Sequence, residues 1–419
     1  GADVTVTDLR SEKELDVSVR ALDGLPITLK LGGHDEKDFQ HPDLIVANPA
    51  VPRFSRFLEI AASAGVPITS EICLFVERCP APIIGVTGSS GKTTTTSLLG
   101  EMLKRGDDRT IVGGNMGRSL LDDLDKIEAD VSVILELSSF QLDRLGDMSW
   151  SPHVGVVTNF APNHLDVHGS LGAYREAKKQ ILKHQTSGDW AVVNGEDAEV
   201  VDWAGAGKRV KFVTEGAGEV FVRDGEIRHA IGGLEQIVCE VRVLKLRGRH
   251  NLANALAATG AAIASGVSET DVAAVLQSFE GVPHRLERVA EVNGVVYVND
   301  SIATSPDRTR VALRAFDQPI VLIAGGYDKG IDFDGLGSVI EEKVAHLIVL
   351  GQTGSAIADS VNGETAVHRA DDLEEAFTCA TRLAGPGDVV LLSPASASYD
   401  QFRNFEERGE LFREMVEDL

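Results

Sequence analysis

The chain has 419 residues, enough at ~100–200 residues per domain for two to four domains with real cores. Hydrophobic residues make up 43% and charged residues 25%, the composition of a soluble globular protein. Asp and Glu number 64 against 40 Lys and Arg, a formal net charge of -24. That balance argues against a general nucleic-acid or membrane-surface binder but leaves room for an anion in a locally cationic site. No apolar stretch approaches the ~20 residues of a membrane span, and no signal peptide is visible. Cys73, Cys79, Cys239 and Cys379 are scattered without a C-x-x-C pair. They read as reduced core thiols of a cytoplasmic protein, not as a disulfide framework or a zinc site.

Gly1 leads into a strand that ends in Asp8. Such a segment belongs in the middle of a β-α-β unit, so a first strand and a glycine-rich turn are expected upstream. Short apolar runs at 3–8, 27–31 and 43–48, with polar or helical connections, read as half of a doubly wound sheet. Buried-type strands are then predicted at 81–87, 131–137, 154–159 and 190–194; continuous apolar runs suit a parallel sheet covered on both faces. Helices are predicted at 93–104 and 251–264. Residues 206–246, with short, alternating, Gly-punctuated runs, read as a small antiparallel addition. The last block alternates strands at 295–299, 319–324, 347–350 and 388–392 with helical segments. No tandem repeat or low-complexity tract interrupts this order. The predicted fold is α/β in three domains. Residues 1–71 are Rossmann-like without their first strand, 72–281 form a P-loop-type parallel sheet, and 282–419 are again Rossmann-like.

Thr87-Gly88-Ser89-Ser90-Gly91-Lys92-Thr93-Thr94 lies between a buried strand and a helix. Exposed backbone N–H groups at such a turn, with the helix N-terminus, cradle an anion. Lys92 can reach the β/γ-phosphates and Thr93 can ligate Mg²⁺. The strict P-loop spacing would require Gly where Val86 stands; an ordinary Gly/Ser turn is the bland alternative. Glu136 ends a second buried strand, where α/β sheets bind ligands. It either holds Mg²⁺ or makes a strand-end ion pair. His164 and Asp166 follow a third strand of the same sheet and should emerge near Glu136. By composition alone, Lys178, in Tyr174-Arg175-Glu176-Ala177-Lys178, is a solvated surface charge. Asn251 and Asn254, in Gly248-Arg249-His250-Asn251-Leu252-Ala253-Asn254, either cap a helix or bond a base edge. Arg285 sits at a domain boundary. There it either stabilises phosphate charge or makes an inter-domain ion pair. Three polar loops, beginning at Asn299, Gly325 and Ser393, follow strands of the last block, and such an edge suits a small polar substrate.

Taken together, the motifs resemble the Mur ligase family, the ATP-dependent amide ligases of peptidoglycan precursor synthesis. The matches are T-G-S-S-G-K-T-T at 87–94, Glu136, N-H-L-D at 163–166, G-R-H-N-L-A-N at 248–254, H-R at 284–285 and N-D-S at 299–301. They span nearly the whole chain. The A-T after N-D-S, the G-G-Y-D-K loop and the S-P-A-S-A-S-Y-D-Q-F…N-F-E-E-R-G ending are most similar to the glutamate-adding branch. Ile302 stands where many members of that branch carry Lys. The D-N-P-R signature of the third-amino-acid adders is absent.

The resemblance implies ATP and Mg²⁺ as cofactors, with UDP-N-acetylmuramoyl-L-alanine and D-glutamate as substrates of a monomer. It implies that the substrate carboxylate is activated as an acyl phosphate and then captured by the amine of glutamate. Gly88, Ser89, Ser90, Gly91, Lys92, Thr93 and Thr94 would hold the phosphates, Arg285 would neutralise them, Asn251 would contact adenine and Asp300 the ribose. Thr93, Glu136, His164 and Lys178, the last as its carbamate, would serve the metal. Asp8, Arg10 and Asn115 would bind the UDP-substrate, and Thr304, Lys329, Ser398 and Phe405 the glutamate. Another Mur-type ligase, a folylpolyglutamate ligase and a regulatory P-loop ATPase are the rival readings. The last has no reason to keep a glutamate-type pocket.

Overall fold

A computed structural model describes the chain except Ala50, residues 116–118, residues 163–167, Ala204, Arg247, Ile331, Asp334 and Glu364, and the side chain of Val17. The described chain divides into two compact units, Gly1–Glu280 and Gly281–Leu419. Among the described residues, no helix is long and apolar enough to cross a membrane.

The first unit opens with two small parallel pairs. Strand β1 (Val4–Asp8) pairs with β2 (Ile27–Leu31), and β3 (Ile45–Val46) pairs with β4 (Ile68–Thr69). Phe39, Ala61 and Val66 form a local core beside the second pair. The helix Arg56–Ser63 starts where the Ser55 hydroxyl accepts a hydrogen bond from Leu58 N–H, the usual device for an orphan helical donor.

A nine-stranded sheet follows. Its strands are β5 (Ile83–Thr87), β6 (Ile111–Gly114), β7 (Val133–Glu136), β8 (Val154–Val157), β9 (Trp190–Asn194), β10 (Lys208–Val213), β11 (Val220–Arg223), β12 (Glu226–His229) and β13 (Gln236–Glu240). Their spatial order is β13-β12-β11-β10-β9-β8-β5-β7-β6. Every residue of β5, β7 and β8 is buried. Those strands read as unbroken apolar runs because both sheet faces are covered. One face packs on the helices Lys92–Lys104 and Arg249–Ala264, through Leu98, Met102, Leu256 and Ala261. The other carries Leu142, Leu145 and Ile181 from the helices Ser139–Asp147 and Leu171–Lys183.

The structure bears out the antiparallel reading of 206–246 for its later strands and corrects it for the first. Strand β10 runs parallel to β9, with Val210 opposite Val192, and β11 is parallel to β10. Strand β12 pairs antiparallel with both β11 and β13, and all of these strands continue the central sheet. Alternating hydrophobicity reports one covered face and says nothing about strand direction.

The second unit holds β14 (Glu287–Val292), β15 (Val295–Asn299), β16 (Ile320–Gly325), β17 (Val344–Leu350), β18 (Ala366–Arg369) and β19 (Val389–Leu392). The order β14-β15-β19-β16-β17-β18 is parallel except for β14, which pairs antiparallel with β15. The edge strands β14 and β18 contain no fully buried residue, so no apolar run marks them in the sequence. Two cores, one around Leu322, Leu347 and Leu391 and the other around Ile323, Phe377 and Phe412, cover the two faces.

Candidate active site

Thr87 ends β5, and the chain turns through Gly88–Gly91 into the helix Lys92–Lys104. Gly91 is the N-cap, in the left-handed region at φ 78, and no side chain caps the helix. The first-turn N–H groups therefore have no side-chain cap competing for them, the arrangement that binds phosphate. Gly88 has φ 152, and a Cβ there would fall 1.9 Å from Thr158 Oγ1. A Cβ on Gly91 would fall 2.2 Å from Asn254 Oδ1. Both positions need glycine on backbone and steric grounds.

The segment after β8 braces the turn. Thr158 Oγ1 donates to Ser90 O at 2.6 Å. Asn159 Oδ1 accepts from Ser90 N–H at 2.9 Å, while its amide nitrogen donates to Ser90 O at 3.1 Å. Ser89 Oγ donates to Ala161 O at 2.8 Å and lies 3.1 Å from the Tyr174 hydroxyl. The braces Thr158 and Asn159 were not singled out in the sequence, although their place at a strand end is readable there.

Two amines meet one carbonyl behind this turn. Lys92 Nζ donates to Gly88 O at 3.0 Å, and Lys178 Nζ donates to the same oxygen at 2.9 Å. Lys178 also reaches Thr87 Oγ1 at 3.3 Å and lies over the Tyr174 ring. Only 2% of Lys178 is exposed, which overturns its reading as a solvated charge. Burial, and then repulsion from Lys92, hold its amine well below the usual lysine range, with Glu136 pulling the other way. Glu136 is itself buried, and its Oε1 accepts from Asn115 Nδ2 at 3.0 Å. Its Oε2 has no hydrogen-bond partner among the described residues. A buried carboxylate oxygen without a partner is costly. With the Thr93 hydroxyl on the first helical turn, it suits a hard cation that takes oxygen ligands.

The remaining expected residues fall as follows. His164, with Asn163 and Asp166, lies outside the described residues. His168, just beyond, bonds Ser139 Oγ at 2.9 Å and stacks on Phe140. Asn115, expected at the UDP-substrate, is the residue whose Nδ2 donates to Glu136 Oε1. Asn251 is not the N-cap: it lies inside the helix Arg249–Ala264, whose N-cap is Gly248, and its Oδ1 accepts from Asn254 Nδ2 at 3.5 Å. Asn254, the second asparagine of that motif, also lies inside the helix, with its Oδ1 beside Gly91, a neighbour that the sequence did not indicate. Thr94 is half-buried on the first turn after Gly91. Asp8 and Arg10 pair with each other at the end of β1, with Arg10 Nη2 3.2 Å from Asp8 Oδ2; the Arg10 hydrogen bonds hold the Asp8 carboxyl below the usual range.

In the second unit, loops gather at the C-terminal ends of β15, β16, β17 and β19. Tyr327 N–H donates to Ala397 O at 2.9 Å, joining the G-G-Y-D-K loop to the last one. Thr353, after β17, bonds Ser396 Oγ at 2.7 Å and Gly326 O at 3.2 Å. Arg408 is 2% exposed and donates to Ser301 Oγ, Ser301 O, Ser396 O and Ala397 O. Thr353 was missed in the sequence because only folding brings these loops together, and Arg408 stands in the N-F-E-E-R-G motif without a role that the sequence assigns to it. Ser398 is buried and Thr304 half-buried. Phe405 O accepts from Ser301 Oγ, and Lys329 Nζ lies 5.7 Å from the Tyr399 ring centre. Asp300 is buried: its Oδ1 accepts from Leu286 N–H at 3.1 Å and its Oδ2 from Ser393 Oγ at 2.8 Å. Burial pushes its carboxyl up to about 6.

Residues 86–262 match the Mur ligase middle domain, and residues 284–396 match the Mur ligase, glutamate ligase domain. A UDP-N-acetylmuramoylalanine--D-glutamate ligase of Roseiflexus sp. (strain RS-1) is 42% identical over 437 residues, covering 100% of this chain and 93% of that protein. This chain belongs to the Mur ligase family. A ligase of the same description from Symbiobacterium thermophilum is 43% identical over 429 residues, covering 100% of this chain and 93% of its own length. The fold is shared with MurF from Acinetobacter baumannii, at TM-score 0.57 and 20% identity over 97% of this chain and 99% of that one. It is shared also with a UDP-N-acetylmuramate-alanine ligase from Thermotoga maritima, at TM-score 0.54 and 21% identity over 99% of this chain and 93% of that one. Mur ligases form amide bonds at the expense of ATP in peptidoglycan precursor synthesis, and this ligase is one of them.

Proposed function

We propose that this Mur ligase joins D-glutamate to UDP-N-acetylmuramoyl-L-alanine, with ATP and Mg²⁺, in the cytoplasm. The observation that carries the chemistry is the meeting of Lys92 and Lys178 at Gly88 O, just past the strand next to that of Glu136, whose Oε2 has no hydrogen-bond partner among the described residues. The amino acid is supported by the names of full-length relatives and by the G-G-Y-D-K and S-P-A-S-A-S-Y loops. We read residues 1–71 as the UDP-substrate domain, 72–281 as the ATPase domain and 282–419 as the glutamate domain.

A carboxylate oxygen of the substrate attacks the γ-phosphorus of ATP, forming an acyl phosphate and releasing ADP. The glutamate amine then attacks the acyl carbon, gives up a proton, and phosphate leaves as its C–O bond breaks. Both steps bring anions together, so catalysis consists of positioning and charge neutralisation. Gly88, Ser89, Ser90, Gly91 and Thr94 present the turn, and Lys92 and Arg285 oppose phosphate charge. Asn251 serves adenine and Asp300 the ribose. Asp8, Arg10 and Asn115 serve the UDP-substrate. Thr304, Lys329, Ser398 and Phe405 serve glutamate. Thr93, Glu136, His164 and a carbamate on Lys178 would hold Mg²⁺, which when bound neutralises phosphate charge. A neutral amine captures CO₂ by forming an N–C bond and releasing a proton, and the surroundings of Lys178 favour its neutral form.

ADP formation measured with neither, either or both substrates tests the reading. Strict dependence on the UDP-substrate and D-glutamate together is expected. Turnover without an acceptor would indicate a regulatory ATPase, and turnover with folate would indicate a folylpolyglutamate ligase.

A further inference from the structure

The H-R and N-D-S motifs, separate in the sequence, are one structure in the second unit. Arg285 lies between two non-glycine residues with left-handed backbones, His284 at φ 61 and Leu286 at φ 43. Such residues persist only where their surroundings impose the conformation. His284 is imposed by packing. Its ring is buried, lies 3.0 Å from Asn299 Nδ2, and stands where a Cβ on Gly409 would be. Its N–H donates to Glu287 Oε2 at 2.8 Å, and its carbonyl accepts from Ile302 N–H at 3.1 Å.

Leu286 is less enclosed than His284: the residue is 36% exposed against 6% for His284. The bond that holds it is from its N–H to Asp300 Oδ1, at 3.1 Å. Asp300 is oriented in turn by Ser393 Oγ on its other oxygen, at 2.8 Å, and by β15, whose last residue, Asn299, is paired with Glu287. We infer that Asp300 is a positioning residue for Arg285: through the Leu286 N–H it fixes the left-handed turn that presents the guanidinium. This rests on the reading of Arg285 as a phosphate-neutralising group. It adds a role for Asp300 that is independent of any contact with the ribose.

The test compares kcat and KM for ATP and for 2′,3′-dideoxy-ATP in wild type, Arg285→Ala, Asp300→Ala, Asp300→Asn, Asp300→Ala/Arg285→Ala and Asp300→Ala/Leu286→Gly. Arg285→Ala should lower kcat by on the order of 10²-fold, as for loss of one preorganised charge. Asp300→Ala should lower kcat at least about tenfold, by the same factor with both nucleotides, and the double variant should be no worse than Arg285→Ala alone. Asp300→Asn keeps an oxygen for Leu286 N–H and should restore most of kcat. Leu286→Gly should partly rescue Asp300→Ala, because glycine adopts the left-handed turn unaided.

An Asp300→Ala penalty that multiplies with that of Arg285→Ala, or that vanishes with the dideoxy nucleotide, overturns the inference. Either result leaves the Arg285 reading standing. Full activity in Arg285→Ala would remove that reading and the inference with it. If Asp300→Ala fails to fold, the same comparison is made with Ser393→Ala, which removes the bond orienting Asp300. It should give a smaller loss that again does not add to Arg285→Ala, and an additive loss counts against the inference.

Discussion

At Lys178, burial and then the neighbouring Lys92 oppose the ammonium, with Glu136 pulling the other way. The unfolded chain has no such bias, so its lysine keeps the usual value near 10.5. Between the depressed folded value and 10.5, the unfolded state binds a proton that the folded state does not. Stability from this site therefore rises with pH across that window and falls as pH drops through it. Lys178→Met removes the titration while filling similar space. The two acceptors it leaves keep other partners: Gly88 O still receives Lys92 Nζ, and Thr87 Oγ1 still donates to Leu137 O. In CO₂-free buffer at pH 7, Lys178→Met should melt above wild type, with the gap closing toward pH 10, and should not ligate. A lower Tm at pH 7 would show that the site tolerates the charge. Lys92→Ala should keep the fold and lose on the order of 10²–10³ in rate; near-normal turnover would remove the phosphate-turn assignment.

At the level of elements, what could be read in the sequence was whatever is local. The strand, turn and helix around Lys92 are contiguous, so their types and order announce an anion cradle. The strand ending at Glu136 was visible because both its faces are buried. Thr158, Asn159, Asn254 and Arg408 act on segments distant in sequence, and nothing in the spacing of a single chain pairs Asn254 with Gly91 or Arg408 with Ser301. Strands β14 and β18 escaped because edge strands half-exposed to water lack an apolar run. The direction of β10 escaped because burial pattern does not encode it. The turn also makes a prediction as a unit. Gly91→Ala places a Cβ against Asn254 Oδ1 at 2.2 Å and at φ 78. It should cost about 1–2 kcal/mol of stability and raise KM for ATP at least about tenfold, with KM for glutamate little changed. Equal effects on both constants would mean that the substitution disturbs more than the cradle.

For the molecule as a whole, the distribution of apolar cores sets which parts can fold alone. Both cores of the second unit, around Leu322 and around Phe377, draw every member from Gly281–Leu419. The six-stranded sheet is complete within the same boundaries. The loops that carry Thr304, Lys329, Ser398 and Phe405 are tied to one another by Arg408, Thr353 and Ser301, all in that unit. A fragment of residues 281–419 should therefore fold by itself with one cooperative melt, as small single domains do. It should also keep its affinity for the amino acid. Binding to the folded state raises stability by RT ln(1 + [L]/Kd), so ligand at 100 times Kd adds about 2.7 kcal/mol. Two carboxylates need several donors, and the Lys329 ammonium attracts a carboxylate more strongly than the neutral amide of glutamine. D-glutamate should therefore raise the fragment's Tm by several degrees and D-glutamine by much less, with Lys329→Ala abolishing the difference. Equal shifts from glutamate and glutamine would overturn the pairing of Lys329 with a carboxylate that glutamine lacks. A fragment that melts without cooperativity would show that the second unit depends on the first for its fold.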